Sequence, residues 1–571
     1  MAKPSYELVY TVEDTPPPVT GYLLAVQHVL LIATSFIFPL FLFRAAGISG
    51  DEAAFLLSMT IFVVGIGTLI QSLNNAYIGS GFLCPSFAAL FYVAPSVKAY
   101  AVGGIGLVCC MTALSGAFQV AFSRIIRKLR VLFPPEVTGL VIIMAGVGGI
   151  PFSIRSCVGL ENAAGVADFA SVTIAVVTLA AIVITSVWGT MGMRLYTTFF
   201  GIAAGYIAAF ALGQLPASLL FTLVTLPCFS LPRPVFLEWS FDWALVLPFL
   251  IAGFAGSLKT IGNLTSCQKI NDAKWTRPDI RNYEKGTFTD GLTNIFAGVF
   301  GSLGQSTSSG NIGLSLASGA TSRKIGIIAG FLLIVISFCP YASFFFLIMP
   351  VPVMGALLIY TICFMVMTGI EIMMSRMMDT RKFFIIGFSF TFGLGASTLA
   401  DIPMAESQTW LATLLVSPLT LSTLMAICLT LVFRIGIAKH QEITIHPGTR
   451  DLGDTVFSFI DRNGGAWGAR RDVMTRAGSA LFEFLENGFT SKIIQAEAKI
   501  RMTFDEFNLE IFIDYEGEPV PERVVPPTPE ELIENPAALS RLSLTMVAAN
   551  ADRFTVTSRN GITTAHLHFD H

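Results

Sequence analysis

The chain has 571 residues, 53% of them hydrophobic and 13% charged, with a formal net charge of −3 and a mean hydropathy of +0.70. Repeated long apolar runs exclude a soluble domain of this length, and the charge balance offers no footprint for nucleic acid. The composition predicts an all-α polytopic membrane protein with a small α/β domain at its C-terminus.

The head, residues 1–21, is polar and Pro-rich (Val12-Glu-Asp-Thr-Pro-Pro-Pro) and reads as a lateral arm without a core. It lacks a basic stretch before a short apolar run, so the first membrane segment is expected to do the targeting. Apolar segments follow at about 22–46, 53–72, 79–95, 99–122, 135–154, 167–188, 195–213, 243–263, 286–303, 308–321, 324–347, 351–372, 381–400 and 409–434, about fourteen in all. The third and tenth are short of the roughly 20 residues that a full span needs. They occupy corresponding places in two sets of seven. An odd-numbered unit inserts in opposite senses, which predicts two inverted repeats with half-helices at segments 3 and 10. Phe133-Pro-Pro-Glu-Val-Thr-Gly139 opening the fifth segment and Met349-Pro-Val-Pro-Val-Met-Gly355 opening the twelfth echo the same repeat.

Basic residues cluster after even-numbered segments: Arg124, Arg127, Lys128 and Arg130; Lys269, Lys274, Arg277, Arg281 and Lys285; Arg323 and Lys324; Arg376, Arg381 and Lys382. The positive-inside rule puts these loops and both termini in the cytoplasm, and the long stretch 214–242, with only Arg233, outside. The expected division is 22–130 for segments 1–4, 131–242 for segments 5–7 and an external loop, 243–347 for segments 8–11, and 348–440 for segments 12–14. A soluble cytoplasmic domain spans 447–571. In it 467–489 reads as an amphipathic helix, Ala498–Phe504 and Asn508–Glu516 as one hairpin, Pro526-Pro-Thr-Pro as a linker, and 536–551 as a further helix. Arg553–Ser558 and Ile562–Phe569, flanking Arg559-Asn560-Gly561, form a second hairpin. The nine Cys residues lie mostly inside apolar segments without metal spacing and read as packing residues. No metal site, cofactor or nucleophile–base pair is expected, so the chain does not read as an enzyme.

The stretch Gln305–Arg323 carries the functional argument. It is full of Gly, Ser, Thr and Asn among apolar neighbours, and irregular backbone at membrane depth is tolerated where it lines a cavity. Asn311, Ser315 and Ser318 offer amide and hydroxyl groups, while Gly310, Gly313 and Gly319 allow close backbone approach. Cys84-Pro-Ser86-Phe87 supplies a break and an aromatic ring in the third segment. Lys259, in Gly256-Ser-Leu-Lys-Thr-Ile-Gly-Asn263, is a charge at depth and needs a partner. Asp290, opening the next span, is the expected counter-ion; Lys259 is either locked in that pair or meets an anionic ligand. Asn263 falls on the same helix face as Lys259. Gln27 and His28 in the first span read either as a helix-to-helix hydrogen bond or as the outer shell of a pocket.

Together these residues resemble the nucleobase–ascorbate transporters, also called the nucleobase:cation symporter family, over roughly 6–435. The resemblance rests on Val12-Glu-Asp-Thr-Pro-Pro-Pro with Gln27-His28, on Pro85-Ser-Phe87, on Phe133-Pro-Pro-Glu-Val-Thr-Gly139, on Asp290-Gly-Leu, and on Gly310-Asn-Ile-Gly-Leu-Ser-Leu-Ala-Ser-Gly319 as the signature motif. It implies a fourteen-span inverted repeat, a substrate-carrying core (segments 1–4 and 8–11), a gate domain (5–7 and 12–14) making a homodimer contact, and elevator-like movement in the inner membrane. It implies as substrate a nucleobase such as xanthine, urate or uracil, with protons or sodium as coupling ions. The implied substrate site comprises Ser86, Phe87, Lys259, Asn263, Gly310, Asn311, Gly313 and Ser318, with Lys259 and Asp290 as an ion pair and Gln27 and His28 as shell. Four positions depart from the family pattern: Lys259 stands where a Glu is usual, Asn263 where Asp or His is common, Gly310 where Gln or Glu is usual, and, more mildly, Ser318 where a Thr is usual. A Lys only donates, which puts cation coupling in question and favours an anionic or acceptor-rich ligand; a ligand sensor derived from such a transporter is the alternative. The tail resembles the histidine-kinase-like ATPase fold of anti-sigma regulators through Leu481-Phe-Glu-Phe-Leu-Glu-Asn-Gly488 and Asp514-Tyr-Glu-Gly517, which implies a regulatory or docking module.

Overall fold

The computed structural model describes residues 8–571 except 130–133, 161–165, 191–192, 195, 216–226, 228, 231–237, 273–274, 276–278, 375–377, 379, 400–416, 434–439, 450, 505–507, 522–525, 529–530, 532–535, 560 and 571. Arg130, Arg233, Lys274, Arg277, Arg376 and Asn560, which entered the loop and turn readings, lie outside the described residues, as does the start of the fourteenth segment. The chain divides into two compact units, one of Met1–Glu371 with Gly387–Ile427, the other of Ile372–Ile386 with Cys428–His571.

In the first half of the membrane region α1 (Pro18–Ala33) and α2 (Ile37–Ala46) form the first segment, interrupted by a 3-10 turn at Thr34–Phe36, and α3 (Gly50–Ser72) the second. A short strand β1 (Ser86–Ala88) leads into α4 (Val93–Leu129). The helix α4 holds two segments, because Gly103 and Gly104 leave helical geometry and Gly104 takes φ +67°, a conformation suited to glycine. The break between the third and fourth segments therefore falls later than the expected 95–99. Then come α5 (Pro135–Val147), α6 (Ile150–Val158), α7 (Phe169–Val187) and α8 (Thr197–Ala211). The second half runs α9 (Trp243–Asn271), α10 (Ile280–Phe300), β2 (Gln305–Thr307), α11 (Ser309–Ser318), α12 (Arg323–Ser337), α13 (Pro340–Leu347), α14 (Val351–Met373), α15 (Thr380–Leu399) and α16 (Pro418–Phe433). The segment expected as one span at 324–347 is bent by 83° between α12 and α13, where Pro340 cannot continue the preceding hydrogen-bond ladder.

Among the described residues seven helices are long and apolar enough to cross a membrane, eight if that bent pair counts as one. The remaining spans are the two broken segments and shorter or more polar helices, so the architecture is the two-by-seven inverted arrangement. Close glycine crossings repeat in both halves. A Cβ on Gly291 of α10 would meet Val120 N at 2.7 Å and Gly116 O at 2.8 Å in α4, and one on Gly330 of α12 would meet Leu69 N at 2.7 Å and Gly65 O at 2.8 Å in α3. Segment 9 crosses segment 4 as segment 2 crosses segment 11, which is what the repeat demands. Without a hydrophobic force between helices in lipid, backbone contact of this kind holds them together.

The head is not a free arm. Val9 and Tyr10 N–H donate to Gly319 O at 2.8 and 3.1 Å, Thr321 N–H donates to Tyr10 O at 2.8 Å, and Arg323 N–H donates to Val12 O at 3.1 Å. Glu13 pairs with Arg323. The head thus satisfies the Gly319 carbonyl just past α11 and the N–H groups of Thr321 and Arg323, which its composition could not announce.

In the second unit β3 (His440–Ile445), α17 (Leu452–Trp467), α18 (Arg471–Thr490), β4 (Ala498–Phe504), β5 (Asn508–Glu516), α19 (Pro536–Asn550), β6 (Arg553–Arg559) and β7 (Ile562–Asp570) make one antiparallel sheet, in the order β3-β4-β5-β7-β6, with helices packed on one face. Both expected hairpins are present. The sheet also has an edge strand, β3, beginning before residue 447, and a helix, α17, that the sequence reading had not separated. Of the residues that carried the kinase-like resemblance, Asn487 accepts a hydrogen bond from Ser491 Oγ at 3.1 Å and Asp514 Oδ1 accepts one from Thr564 Oγ1 at 2.6 Å.

On the sheet's other face Glu510 of β5 is held between two histidines of β7, His566 and His568, whose Nδ1 is 2.7 Å from Glu510 Oε1. Burial alone would push the His568 imidazole down, but Glu510, by hydrogen bond and charge, and then Asp570 raise it above its ordinary value of 6.5. Protonated His568 therefore stabilises the sheet fully below that ordinary value, and the contribution fades as pH rises through the raised one.

Two outcomes are expected. Gly291→Ala lowers the melting temperature of the detergent-solubilised protein, by the equivalent of about 1–3 kcal/mol for overpacking. Hydrogen-exchange protection of the β5 and β7 amides, corrected for intrinsic rates, falls between pH 6 and pH 8, and His568→Gln flattens that change.

Candidate functional site

The two broken segments meet at their strands. β1 and β2 pair antiparallel with Ser86 opposite Thr307, Phe87 opposite Ser306 and Ala88 opposite Gln305. Three-residue strands leave backbone groups unpaired, and membrane depth offers no bulk water. Side chains from neighbouring helices fill the gaps. Asn294 of α10 accepts from Gln305 N–H at 2.6 Å and donates to Gln305 O at 2.9 Å, reproducing a strand partner with a single amide. Thr68 Oγ1 of α3 accepts from Ser86 N–H at 3.1 Å, and Ser35 Oγ of the first segment accepts from Ala88 N–H at 3.3 Å.

Lys259 on α9 is 7% exposed. Its Nζ stands 3.9 Å from the centroid of the Phe87 ring, which also packs edge-on against Phe38 at 6.2 Å. Among the described residues no carboxylate oxygen comes within 4.0 Å of that Nζ, so the expected direct ion pair with Asp290 is not formed. Asp290 is buried, and its Oδ2 accepts from Thr260 Oγ1 at 3.0 Å and from Gln119 Nε2 at 3.5 Å. Its Oδ1 is buried without a hydrogen-bond partner. The two charges share a buried neighbourhood, but each is oriented by a different element.

The other expected site residues separate into two groups. Asn263 is tied to the broken tenth segment, donating to Thr307 Oγ1 at 2.8 Å and accepting from Ser309 Oγ at 2.8 Å. His28 Nδ1 lies 2.8 Å from Asn311 Oδ1. Asn311 Nδ2 donates to Ser308 Oγ at 2.8 Å, so its amide oxygen faces the ring and Nδ1 carries the proton. Gln27 is half-buried, with its Oε1 unpartnered. Ser318 Oγ donates to Leu314 O at 2.8 Å within its own helix. Ser86 points to α3, where its Oγ would lie 2.7 Å from a Cβ on Gly67. Ser86, Asn263, Asn311 and Ser318 are thus committed to holding the fold. Phe87 and Lys259 present a ring and a cation, and Gly310 and Gly313 are exposed on α11. A Cβ on Gly313 meets nothing within 4 Å, and one on Gly310 meets only Leu31 Cδ2 at 3.5 Å and still more distant atoms.

Four residues missing from the sequence reading complete the site: Thr260, Thr307, Gln119 and Asn294. Thr260 Oγ1 and Thr307 Oγ1 are 3.0 Å apart, and Gln119 Oε1 accepts from Asn294 Nδ2 at 2.6 Å. A chain of hydrogen bonds thereby runs from Asn294 through Gln119, Asp290, Thr260 and Thr307 to Asn263. The available signal was Gln119 itself, an amide in the middle of an apolar span.

A family model described as "Permease family" matches residues 21–402. The chain belongs to that family, the nucleobase–ascorbate transporters. It is therefore a multi-pass membrane transporter and not an enzyme. Among its relatives, the "Xanthine permease XanP" of Escherichia coli strain K12 is 28% identical over 441 residues, covering 75% of this chain and 95% of that protein. The "Uric acid permease PucJ" of Bacillus subtilis strain 168 is 26% identical over 431 residues, covering 74% and 94%. The murine Solute Carrier 26 family member A9 anion transporter, solved in the inward-facing state, shares the fold with a TM-score of 0.51 and 11% identity, over 77% of this permease and 72% of that chain.

Asn294→Ala in this permease strips a partner from both backbone groups of Gln305. Each buried group left unpaired costs about 1–3 kcal/mol, so a fall of several degrees in melting temperature is expected. Ser318→Ala, which removes one bond inside α11, is expected to shift it far less.

Proposed function

We propose that this permease carries purine nucleobases of the xanthine and urate class across the inner membrane, with the core (segments 1–4 and 8–11) moving against the gate (5–7 and 12–14) as an elevator. The observation that carries the reading is the junction of the two broken segments, where Phe87 lies on the strand pair that joins them with the Lys259 ammonium over its ring. Broken helices in corresponding halves are the usual place for a transporter's ligand. Relatives named for xanthine and uric acid, matched over about three quarters of the chain, support the choice of purines. Uracil or another acceptor-rich small molecule is the neighbouring substrate class.

The elevator reading draws support from Arg44 at the end of α2, whose Nη2 donates to Met349 O at 2.6 Å, just before α14. This bond joins the first segment to the start of the twelfth, and sliding of core past gate breaks it. Coupling to protons or sodium is in question in this reading, because a lysine stands at 259 where the family usually has a glutamate. Both termini are cytoplasmic, with the gate domains of two copies in contact, and the tail serves as a regulatory or docking module.

Proteoliposomes holding the full chain are expected to take up labelled xanthine or urate saturably, with little change when a proton or sodium gradient is imposed. Phe87→Ala should weaken uptake affinity about tenfold or more, the scale of a lost ring stack. Arg44→Ala should alter the maximal rate more than the affinity. Binding without uptake would replace transport by the sensor reading.

A further inference from the structure

Resting on the purine reading, we infer that Lys259 and Phe87 form a charge filter: the ammonium covers the ring that a ligand must stack on, and an anionic base displaces it where a neutral base does not.

The geometry sets up a competition. Lys259 Nζ lies 3.9 Å from the Phe87 centroid on a side chain that is 7% exposed. A cation over an aromatic face away from water is held more firmly than at a surface. Phe38 packs on the same ring, so a planar ligand stacking on Phe87 has to share or displace the ammonium. Asp290 is not in contact with the ammonium: among the described residues no carboxylate oxygen lies within 4.0 Å of Lys259 Nζ, and Asp290 Oδ2 is held by Thr260 and Gln119 while its Oδ1 has no hydrogen-bond partner. Among the described residues no hydrogen-bond acceptor is recorded for the ammonium. Its donors are available, and a ligand that lifts it from the ring gains by accepting from it.

A neutral base gives back a hydrogen bond in which only the ammonium is charged, without the attraction between opposite charges. An anion such as urate, the charged form present at neutral pH, gives a bond in which both partners are charged. Discrimination therefore includes a penalty against the wrong ligand as well as an attraction for the right one.

Binding of urate, hypoxanthine and uracil to the purified full chain tests this, with Lys259→Gln and Lys259→Arg alongside. The wild type should prefer urate. Lys259→Gln should bind urate about 10–100-fold more weakly, the scale of a hydrogen bond to a charged group, while binding of hypoxanthine or uracil stays level or improves. Lys259→Arg should keep the urate preference. An unchanged urate-to-hypoxanthine ratio in Lys259→Gln, or loss of the preference in a folded Lys259→Arg, overturns the filter and leaves the purine reading standing. A wild type that binds no purine removes the purine reading and the filter with it.

Discussion

Two helices are broken in the middle of a membrane, and the backbone polar groups exposed at each break have no water to turn to. The rest of the core follows from that requirement. β1 and β2 satisfy part of it by pairing with one another. Asn294, Thr68 and Ser35 satisfy more by offering side-chain oxygens and an amide to individual backbone groups. Leaving such groups unpaired in an apolar setting is costly enough that the surrounding polar residues are part of the architecture. A site at this junction is rigid for the same reason: most polar atoms around it already have partners.

That commitment leaves few groups for a ligand. Asn263, Asn311, Ser86 and Ser318 are bound into the scaffold. The Phe87 ring, the Lys259 ammonium and the glycine side of α11 are not. The site carries a positive charge on an aromatic face, and around it the acceptors Gln27 Oε1 and Asp290 Oδ1 are buried without hydrogen-bond partners. The hydrogen-bond chain from Asn294 to Asn263 holds Asp290 through its Oδ2, and among the described residues no carboxylate oxygen lies within 4.0 Å of the Lys259 ammonium.

Around the junction, helix contact depends on missing side chains. Gly291 against Gly116 and Gly330 against Gly65 bring backbones together at corresponding crossings of the two repeats. The head extends the same economy of material, since its backbone closes the end of α11. The tail is a separate unit with its own core, in which strand alternation places apolar residues under the helices and leaves Glu510, His566 and His568 on the other face.

The sequence by itself determined the class of protein, the places of the broken segments and most of the tail's strands. Those features are encoded in local composition: long apolar runs, a polar stretch too short to span, and alternation with a period of two. Family membership was legible from ordered motifs such as Pro85-Ser-Phe87 and the stretch from Gly310 to Gly319. Only the tertiary structure decided which polar residues hold the fold and which face open space. Lys259 and Asp290 looked like a pair because both are charged and buried. Their actual partners are Phe87 of β1 for Lys259, and for Asp290 Thr260, next to Lys259 on α9, with Gln119 of α4. Likewise the head read as a lateral arm without a core because it is polar and Pro-rich, and it is structural because the Gly319 carbonyl and the Thr321 and Arg323 N–H groups lie within its reach. Partnership between distant segments is a property of packing, and local composition does not carry it.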